Sequence, residues 1–268
     1  MNEVFDWKNA PSAEFAVIGH PISHSLSPKM HAAAFAALGL SSSYVAIEVQ
    51  PGEVDSALDH LASLGYRGVN VTVPHKEDAF RWCETVSDVA QRLHVCNTLD
   101  LQKRDGTNTD GIGFIRSLNG HDFGSRQALV LGAGGSARSI LDSLLADGWE
   151  VFLWNRTQSR AEELIERFGF EATVIDRPSL AGKSLVVNTT SASLGGHRLP
   201  LQWSEASHET LAYDLAYGHG LTPFLADAAE HGLPVLDGRK MLMEQGAAAF
   251  EFWWGKTAPR KEMLAALQ

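Results

Sequence analysis

Short apolar runs alternate with helical patterns along most of the chain, and this alternation restricts the fold more than any other feature. In the first half, predicted strands lie at 14–19, 43–49 and 67–73, and predicted helices lie between them at 28–38 and 54–64. Parallel strands need a long crossover connection, usually a helix, so this order predicts βαβ units and a mostly parallel sheet. The predicted fold class is therefore α/β.

The alternation pauses before residue 110 and then begins again. The second series has predicted strands at 128–131, 150–154, 184–188 and 211–215, predicted helices at 136–145 and 159–168, and two closing helices at about 241–254 and 260–267. With 268 residues, the chain is long enough for two small domains. We place the boundary near Asp110. The residue pattern alone does not decide which half the closing helices pack against.

Composition excludes several classes of protein. Apolar residues make up 44% of the chain and charged residues 20%, which is typical of a folded globular protein and not of a disordered one. The net charge is −10 and the sequence has no block of Lys and Arg, so a nucleic-acid partner is not expected. Small molecules are the expected ligands, and an anionic one would need a local cationic pocket.

Two further features bear on the cellular compartment. Cys83 and Cys96 are too few for a disulfide framework or a four-cysteine zinc site. Residues 1–8 lack the apolar core of a signal peptide, and the longest apolar stretch, 32–40, is too short to span a bilayer. We therefore expect a cytoplasmic protein without a membrane partner, and a homodimer is left open.

A glycine-rich loop follows the first strand of the second series. Residues 132–137 read Gly-Ala-Gly-Gly-Ser-Ala, between the predicted strand at 128–131 and a predicted helix. In such a GxGxxA loop, the glycines allow a tight turn and a close approach of the backbone to a pyrophosphate. The helix N-terminus that follows favours negative charge. The segment therefore predicts a dinucleotide site.

The end of the next strand indicates which dinucleotide binds. An NAD site usually places Asp or Glu about 20 residues beyond the loop. Residues 155–160 read Asn-Arg-Thr-Gln-Ser-Arg and include no acid. Arg156 and Arg160, with Thr157, suit a 2′-phosphate, because guanidinium binds phosphate through paired hydrogen bonds. Solvated arginines are the alternative, but the dipole disfavours cations in a first helical turn. We predict NADP.

Polar residues also mark the start of the first helix. Ser27 precedes Pro28, so the sequence predicts Ser27 as the N-cap and Pro28 as the first helical residue. With Ser25 nearby, the same helix N-terminus is suited to a carboxylate.

His20 and His24 have the HxxxH spacing of a metal site. Because Pro21 disfavours a helix there and no carboxylate completes the set, we expect no metal.

A second polar segment follows the third predicted strand. Residues 70–76 read Asn-Val-Thr-Val-Pro-His-Lys, and strand alternation places Asn70 and Thr72 on one face. Lys76 then lies just beyond the carboxyl end of the strand, which is where ligands bind in open parallel sheets. Taken alone, Lys76 is also compatible with a solvated surface residue, and Asp110 with a turn or helix cap.

Motifs along most of the chain resemble those of shikimate dehydrogenases, in the order expected of that family. They are Ser25-Leu-Ser27, Asn70-Val-Thr-Val-Pro-His-Lys76, Asn97-Thr98, Asn108-Thr-Asp-Gly111, Gly132-Ala-Gly-Gly135, Asn155-Arg-Thr157, Tyr213-Asp-Leu-Ala-Tyr217 and Met241-Leu-Met-Glu-Gln245. The resemblance implies a reversible, NADPH-linked reduction of 3-dehydroshikimate to shikimate. This oxidoreductase reaction at a CH–OH group belongs to aromatic amino acid biosynthesis through chorismate.

The resemblance also implies a domain arrangement. An N-terminal substrate domain, residues 1–110 plus 241–268, would have a mixed, mostly parallel sheet. A Rossmann-like NADP domain would comprise residues 111–240, and the C-terminal helices would return to the first domain.

Site residues are likewise implied by the resemblance. Lys76 and Asp110 would form the catalytic pair and also contact the substrate. The other implied substrate contacts are Ser25, Ser27, Thr72, Asn97, Tyr217 and Gln245. The implied cofactor contacts are Asp88, Gly132, Ala133, Gly134, Gly135, Ser136, Asn155, Arg156, Thr157, Gln158, Ser159, Arg160, Leu215 and Gly238.

The sequence departs from the family pattern at three places. His94-Val-Cys96 stands before Asn97 where small residues are usual, Ser193 stands where glycine is common, and Arg239 and Lys240 replace an uncharged pair. Within this reaction class, quinate and an aminoshikimate are the alternative substrates.

Two other functional classes fit part of the sequence. A TIM-barrel lyase with Lys76 as a Schiff-base nucleophile fits the length but leaves the glycine-rich loop unexplained. A non-catalytic NADP-sensing module explains the second half but has no use for Lys76 with Asp110.

Overall fold

The computed structural model describes residues 3–218 and 220–268, and it divides into two compact units. Unit 1 comprises the described residues up to Gly113 together with Leu242–Gln268, and unit 2 comprises Phe114–Met241. In the described part of the chain the strands are β1 (Val4–Asp6), β2 (Phe15–Gly19), β3 (Tyr44–Glu48), β4 (Gly68–Val71), β5 (Thr85–Val86), β6 (Thr98–Asp100), β7 (Asp105–Thr107), β8 (Gln127–Leu131), β9 (Glu150–Trp154), β10 (Thr173–Val174), β11 (Leu185–Asn188), β12 (Leu211–Asp214) and β13 (Val235–Leu236).

The helices account for the other regular structure. They are α1 (Ser27–Ala37), α2 (Val54–Ser63), α3 (Lys76–Trp82), α4 (Asp88–Leu93), α5 (Asp110–Ser117), α6 (Gly135–Ala146), α7 (Gln158–Phe168), α8 (Pro223–Glu230), α9 (Arg239–Trp254) and α10 (Arg260–Ala265). The chain leaves unit 1 within α5 and returns to it within α9. None of these helices has the length and apolar character that a membrane crossing requires.

The sheet of unit 1 is mixed, in the order β1-β3-β2-β4-β6-β7-β5. Strands β1 to β4 pair in parallel, whereas β6 is antiparallel to both β4 and β7. From β2 the chain moves to β3 on one side and later to β4 on the other, so the strand order reverses between β2 and β4. The carboxyl ends of strands at such a reversal form the usual ligand crevice of an open sheet.

Alternation along β2 explains why both faces of this sheet are covered. Ala16 and Ile18 pack into a core with α2, while Phe15 and Val17 pack into a second core with α1 and α9. Met263 of α10 lies in the second core as well. The closing helices therefore belong to unit 1, which decides a point that residue patterning left open.

Unit 2 is an all-parallel sheet in the order β10-β9-β8-β11-β12-β13. The order reverses between β8 and β11, and the glycine-rich loop leaves the carboxyl end of β8 at that reversal. This is the doubly wound, Rossmann-like arrangement, and the predicted α/β class is confirmed. Both described sheets are open, so the TIM-barrel alternative is wrong.

Candidate active site

Lys76 and Asp110 form a close ion pair in unit 1. The Lys76 Nζ donates to Asp110 Oδ2 at 2.6 Å, and the two side chains are only 15% and 10% exposed. Lys76 is the first residue of α3, beyond the carboxyl end of β4, and Asp110 is the first residue of α5, beyond β7. Because β7 runs in the same direction as β4, both residues emerge at the same edge of the sheet.

The start of α3 is held in place by His75. This ring is fully buried, and its Nε2 lies 2.7 Å from the Val49 carbonyl oxygen. Burial lowers the pKa of His75, which favours the neutral imidazole. The contact fixes the backbone immediately before Lys76.

Asn97 orients the other carboxylate oxygen of the pair. Its Nδ2 donates to Asp110 Oδ1 at 2.8 Å, and its Oδ1 accepts the Thr109 backbone N–H at 2.8 Å. Asn97 precedes β6, which runs antiparallel to β4. Asn97 therefore lies at the same edge of the sheet as Lys76 and Asp110, which we call the ligand edge. The amide is 2% exposed, and its contacts leave Asp110 with little freedom to rotate.

Gln245, on α9, also approaches Asn97. Its Oε1 lies 3.4 Å from Asn97 Nδ2, and its Nε2 donates to the Leu242 carbonyl at 2.9 Å. The approach is possible because Gly113 of α5 has no side chain. A Cβ at Gly113 would lie 2.7 Å from the Gln245 backbone nitrogen.

The loop after β2 carries Ser25 and Ser27. Ser25 Oγ accepts the Ser27 backbone N–H at 3.3 Å, and Ser27 is 5% exposed. The predicted N-cap role of Ser27 is wrong: α1 begins at Ser27, preceded by Leu26, which makes no capping hydrogen bond. The helix starts one residue earlier than predicted because Pro28 is tolerated within its first turn.

Glu48, at the carboxyl end of β3, anchors this loop. Its Oε2 accepts the Ile22 backbone N–H at 3.0 Å, and its Oε1 lies 2.5 Å from His20 Nδ1. Sequence reasoning missed Glu48, because a carboxylate at a strand end carries no signal of its long-range partner. His20 is therefore held by a carboxylate. No cluster of potential metal ligands occurs among the described residues.

Tyr44 and Asn70 form a buried hydrogen-bonded pair next to Asn97. Tyr44 Oη donates to Asn70 Oδ1 at 2.8 Å, and Asn70 Nδ2 donates to the Asn97 carbonyl at 3.1 Å and to Thr98 Oγ1 at 3.0 Å. Burial raises the pKa of Tyr44 well above its usual value, so its hydroxyl stays protonated. Sequence analysis did not identify Tyr44 as part of the site.

The placements of Thr72 and Asp88 differ. Thr72 lies one residue beyond the observed end of β4, and its backbone N–H donates to the Ile18 carbonyl at 2.9 Å. It therefore follows the strand at the ligand edge. Asp88 is the exposed first residue of α4, after the Ser87 N-cap. The described contacts do not join Asp88 to the Lys76–Asp110 pair.

In unit 2, the glycine-rich loop leaves an open helix N-terminus. Gly132 has φ +106°, and a Cβ there would lie 2.8 Å from Thr189 Oγ1 and Thr190 Cγ2. Gly134 precedes α6 without a side-chain cap, and a Cβ at Gly134 or Gly135 would meet only open space. The N–H groups at the start of α6, including those around Ser136, are therefore accessible to an anion.

Asn155 connects this loop to the segment that follows β9. Its Oδ1 accepts the Ala133 backbone N–H at 3.2 Å, and its Nδ2 donates to the Thr157 carbonyl at 2.7 Å. Arg156 and Arg160 are both exposed beside it, as are Thr157, Gln158 and Ser159. The structure thus provides two cationic side chains and no acid between 155 and 160.

The segment after β12 is packed against the turn before α9. The Gly238 N–H donates to the Ala216 carbonyl at 3.3 Å, and a Cβ at Gly238 would collide with the Leu215 carbonyl. Arg239 pairs with Asp237 at 2.9 Å and donates through Nη2 to the Gly218 carbonyl. Arg239 thereby fastens residues 215–218, the segment that contains Tyr217.

Ser193 has a role that glycine could not perform. Its Oγ donates to Asp214 Oδ2 at 2.6 Å and accepts from Asn188 Nδ2 at 3.0 Å. Asp214 is fully buried and also accepts from Thr222 Oγ1 at 2.6 Å. This network joins the loops after β11 and β12, and sequence analysis missed Asp214 as its centre.

Comparison with known proteins connects this geometry to a family. Three family models match: a shikimate dehydrogenase substrate-binding domain over residues 17–99, a shikimate/quinate 5-dehydrogenase over 116–193, and a shikimate 5′-dehydrogenase C-terminal domain over 238–268. The chain is 43% identical over 263 residues to the NADP+-dependent shikimate dehydrogenase of Moorella thermoacetica, covering 91% of this chain and 88% of that protein. The chain belongs to the shikimate dehydrogenase family.

Solved structures of the family have the same fold. Shikimate dehydrogenase from Aquifex aeolicus superposes with a TM-score of 0.89 at 34% identity, covering 97% of this chain and 99% of that one. Shikimate 5-dehydrogenase from Thermus thermophilus, in complex with NADP(H) and shikimate, gives 0.86 at 38% identity, covering 94% and 97%. The family resemblance stated from the sequence motifs is therefore confirmed.

Proposed function

We propose that this chain catalyses the reversible, NADPH-linked reduction of 3-dehydroshikimate to shikimate. The observation that carries the proposal is the Lys76–Asp110 pair, with 2.6 Å between Nζ and Oδ2, held by Asn97 at the ligand edge of unit 1. Family membership supports the substrate, because the relatives named above are shikimate dehydrogenases.

The polar residues around the pair fit a small polyol that bears a carboxylate. In this proposal, Ser25 and Ser27 hold the carboxylate near the N-terminus of α1. Thr72, Asn97 and Gln245 bind ring hydroxyls, since each offers a hydroxyl or amide group that can donate or accept. Tyr217 completes the substrate contacts.

The residues of unit 2 fit NADP. The uncapped start of α6 and the free space at Gly134 and Gly135 suit a pyrophosphate, and Arg156 and Arg160 suit a 2′-phosphate. Asn155, Leu215 and Gly238 would line the same site, and Asp88 of unit 1 stays a proposed contact. NADPH, when bound, supplies the hydride.

Lys76 performs the proton chemistry in this proposal. During reduction its ammonium donates a proton to the carbonyl oxygen of 3-dehydroshikimate, and during oxidation the neutral amine accepts the hydroxyl proton. Asp110 orients the Nζ, and the Lys76 charge stabilises the negative charge that develops on the substrate oxygen. Asp110 is itself oriented by Asn97, so the pair can act as one unit.

We assign the substrate to residues 1–110 with 241–268 and the cofactor to 111–240. The proposed location is the cytoplasm, where two free cysteines remain reduced. The sequence leaves a homodimer open, and light scattering would determine the oligomeric state.

A matrix of two substrates and two cofactors tests the proposed function. Shikimate and quinate would each be combined with NADP+ and with NAD+, and reduced nicotinamide would be followed by its absorbance. We expect the highest kcat/KM for shikimate with NADP+. Higher kcat/KM for quinate would overturn the substrate assignment. The absence of turnover, with NADP+ binding intact, would favour the non-catalytic NADP-sensing module.

A further inference from the structure

The two cysteines of the chain lie side by side in unit 1. A Cβ placed on Gly106 of β7 would be 2.5 Å from Cys83 Sγ and 2.7 Å from Cys96 Sγ, so both sulfur atoms face the same glycine. A hydrogen bond with Cys83 and burial together raise the pKa of the Cys96 thiol far above its usual value. The two thiols are therefore neighbours in the fold although they are distant in sequence.

Both cysteines are attached to elements of the candidate active site. Cys83 immediately follows α3, the helix that begins at Lys76, and Cys96 immediately precedes Asn97. The Cys96 backbone N–H also donates to the Lys76 carbonyl at 3.0 Å. A covalent bond between the sulfur atoms would tie the end of the Lys76 helix to the segment that carries Asn97.

Exposure to solvent differs between the two cysteine residues. Cys83 is partly exposed, whereas Cys96 is fully buried. A small oxidant therefore reaches Cys83 first, and Cys96 is the neighbouring thiol that can react next.

We propose that Cys83 and Cys96 are a peroxide-sensitive dithiol whose oxidation to an intramolecular disulfide slows turnover. The Cys83 thiolate attacks one oxygen of hydrogen peroxide, the O–O bond breaks, and the departing hydroxide takes up a proton to become water. Cys96 then attacks the sulfur of the resulting sulfenic acid, the S–O bond breaks as the S–S bond forms, and the departing hydroxide takes up the Cys96 thiol proton and leaves as a second water. The thiols lose two electrons and two protons, and the peroxide accepts both.

The effect on turnover rests on the proposed function. A disulfide needs a sulfur–sulfur distance of about 2.05 Å, shorter than any contact between free thiols. Its formation draws the end of α3 towards the segment before Asn97, and these two segments position Lys76 and the partner of Asp110. Displacements of about 1 Å at a catalytic group can reduce rates by about a hundredfold.

Mass spectrometry and kinetics on the same samples test this inference. The purified full-length chain would be treated with hydrogen peroxide, and intact mass and free thiols would be measured before and after addition of dithiothreitol. We expect the intact mass to fall by two hydrogens and both free thiols to disappear. We expect kcat to fall by about tenfold or more. Dithiothreitol should restore the two thiols and kcat. The matched control is Cys83→Ser, which keeps a small partly exposed side chain and cannot form the bond. Its kcat should not show a reversible loss.

Three outcomes would overturn the inference. If both thiols stay free after peroxide treatment, the pair does not oxidise. If the disulfide forms and kcat does not fall, the disulfide does not affect the positioning of Lys76. An equal, dithiothreitol-reversible loss in Cys83→Ser would place the sensitivity elsewhere. Failure of the reduced chain to oxidise shikimate would instead count against the proposed function, and the mass measurement would still decide whether the disulfide forms.

Discussion

Gly113 of α5 and Gln245 of α9 meet in backbone contact: a Cβ at Gly113 would lie 2.7 Å from the Gln245 nitrogen and 2.9 Å from its Cα. This contact allows the Gln245 amide to approach Asn97, which in turn holds Asp110. Gly113 does not have a left-handed backbone conformation. Glycine is needed at this position because there is no space for a side chain.

Gly113→Ala should displace α9 at Gln245. Overpacking of this kind typically costs about 1–3 kcal/mol of unfolding free energy. Since Gln245 is a proposed substrate contact, the KM for shikimate should rise more than the KM for NADP+. Urea unfolding and steady-state kinetics would measure both effects. Gly124→Ala is the matched control, because a Cβ there would find its nearest neighbour at 3.9 Å. Equal KM values in the two variants would contradict the prediction.

The Lys76–Asp110 pair should behave as one catalytic unit. Lys76→Ala should lower kcat by at least about a hundredfold, the lower range for positioned acid–base groups. Asp110→Asn should be nearly as damaging, and the double variant should be little worse than either single variant.

The measurement is kcat for shikimate oxidation, with NADP+ affinity measured by calorimetry as the control for folding. We expect the affinity to stay unchanged in all three variants. Near-normal kcat in a folded Lys76→Ala protein would remove Lys76 from the chemistry.

Arg156 should distinguish NADP+ from NAD+. It is exposed beside the glycine-rich loop, and Asn155 next to it bonds both the loop and Thr157. Arg156→Ala should weaken the binding of NADP+ by about tenfold to a hundredfold, the usual contribution of a hydrogen bond to a charged group. Binding of NAD+, which lacks the 2′-phosphate, should change little. Calorimetry with 2′,5′-ADP and 5′-AMP isolates the phosphate. An equal loss for both ligands would indicate a structural role.

Sequence analysis predicted the parts of the site that local chemistry specifies. The turn after β8 needs glycine. The two arginines lie directly after β9, which is the next strand along the chain, so both signals can be detected from local sequence. Glu48 and Gly113 could not be predicted in this way, because their roles depend on partners that only the folded register brings near. The cap at Ser27 failed for a local reason, since Pro28 is compatible with either of the first helical positions. The short elements β5, β6 and β7 were missed because strands of two or three residues have no detectable alternation.

His31 should make stability depend on pH. The ring is fully buried, it stacks on Tyr44 with centroids 4.4 Å apart, and neither ring nitrogen has a hydrogen-bond partner within the described part of the chain. Burial lowers its pKa from 6.5 to about 3. Below pH 6.5 the unfolded chain therefore binds a proton that the folded chain does not, and stability falls as the pH drops towards 3.

The variant His31→Phe should remove this part of the pH dependence. Between pH 7.5 and pH 5, the unfolding free energy of the native chain should fall by about 2 kcal/mol more than that of the variant. Urea unfolding at several pH values measures the difference. His208→Phe, at an exposed position, is the control for removing an imidazole. Parallel pH curves for the native chain and His31→Phe would refute the assignment.

Arg239 should position the segment that contains Tyr217. Its guanidinium pairs with Asp237 and donates to the Gly218 carbonyl, whereas the neighbouring Lys240 donates to the Asn119 carbonyl at 2.6 Å. Arg239→Leu should therefore loosen residues 215–218 and raise the KM for shikimate several-fold. Lys240→Leu removes the same charge from the adjacent position, where the hydrogen bond goes to Asn119, so its KM should remain close to that of the native chain. Arg239→Lys should restore part of the loss, because an ammonium can still donate to one carbonyl but cannot bond Asp237 and Gly218 together through a planar fork. If Arg239→Leu and Lys240→Leu raise the KM equally, net charge and not positioning is the cause.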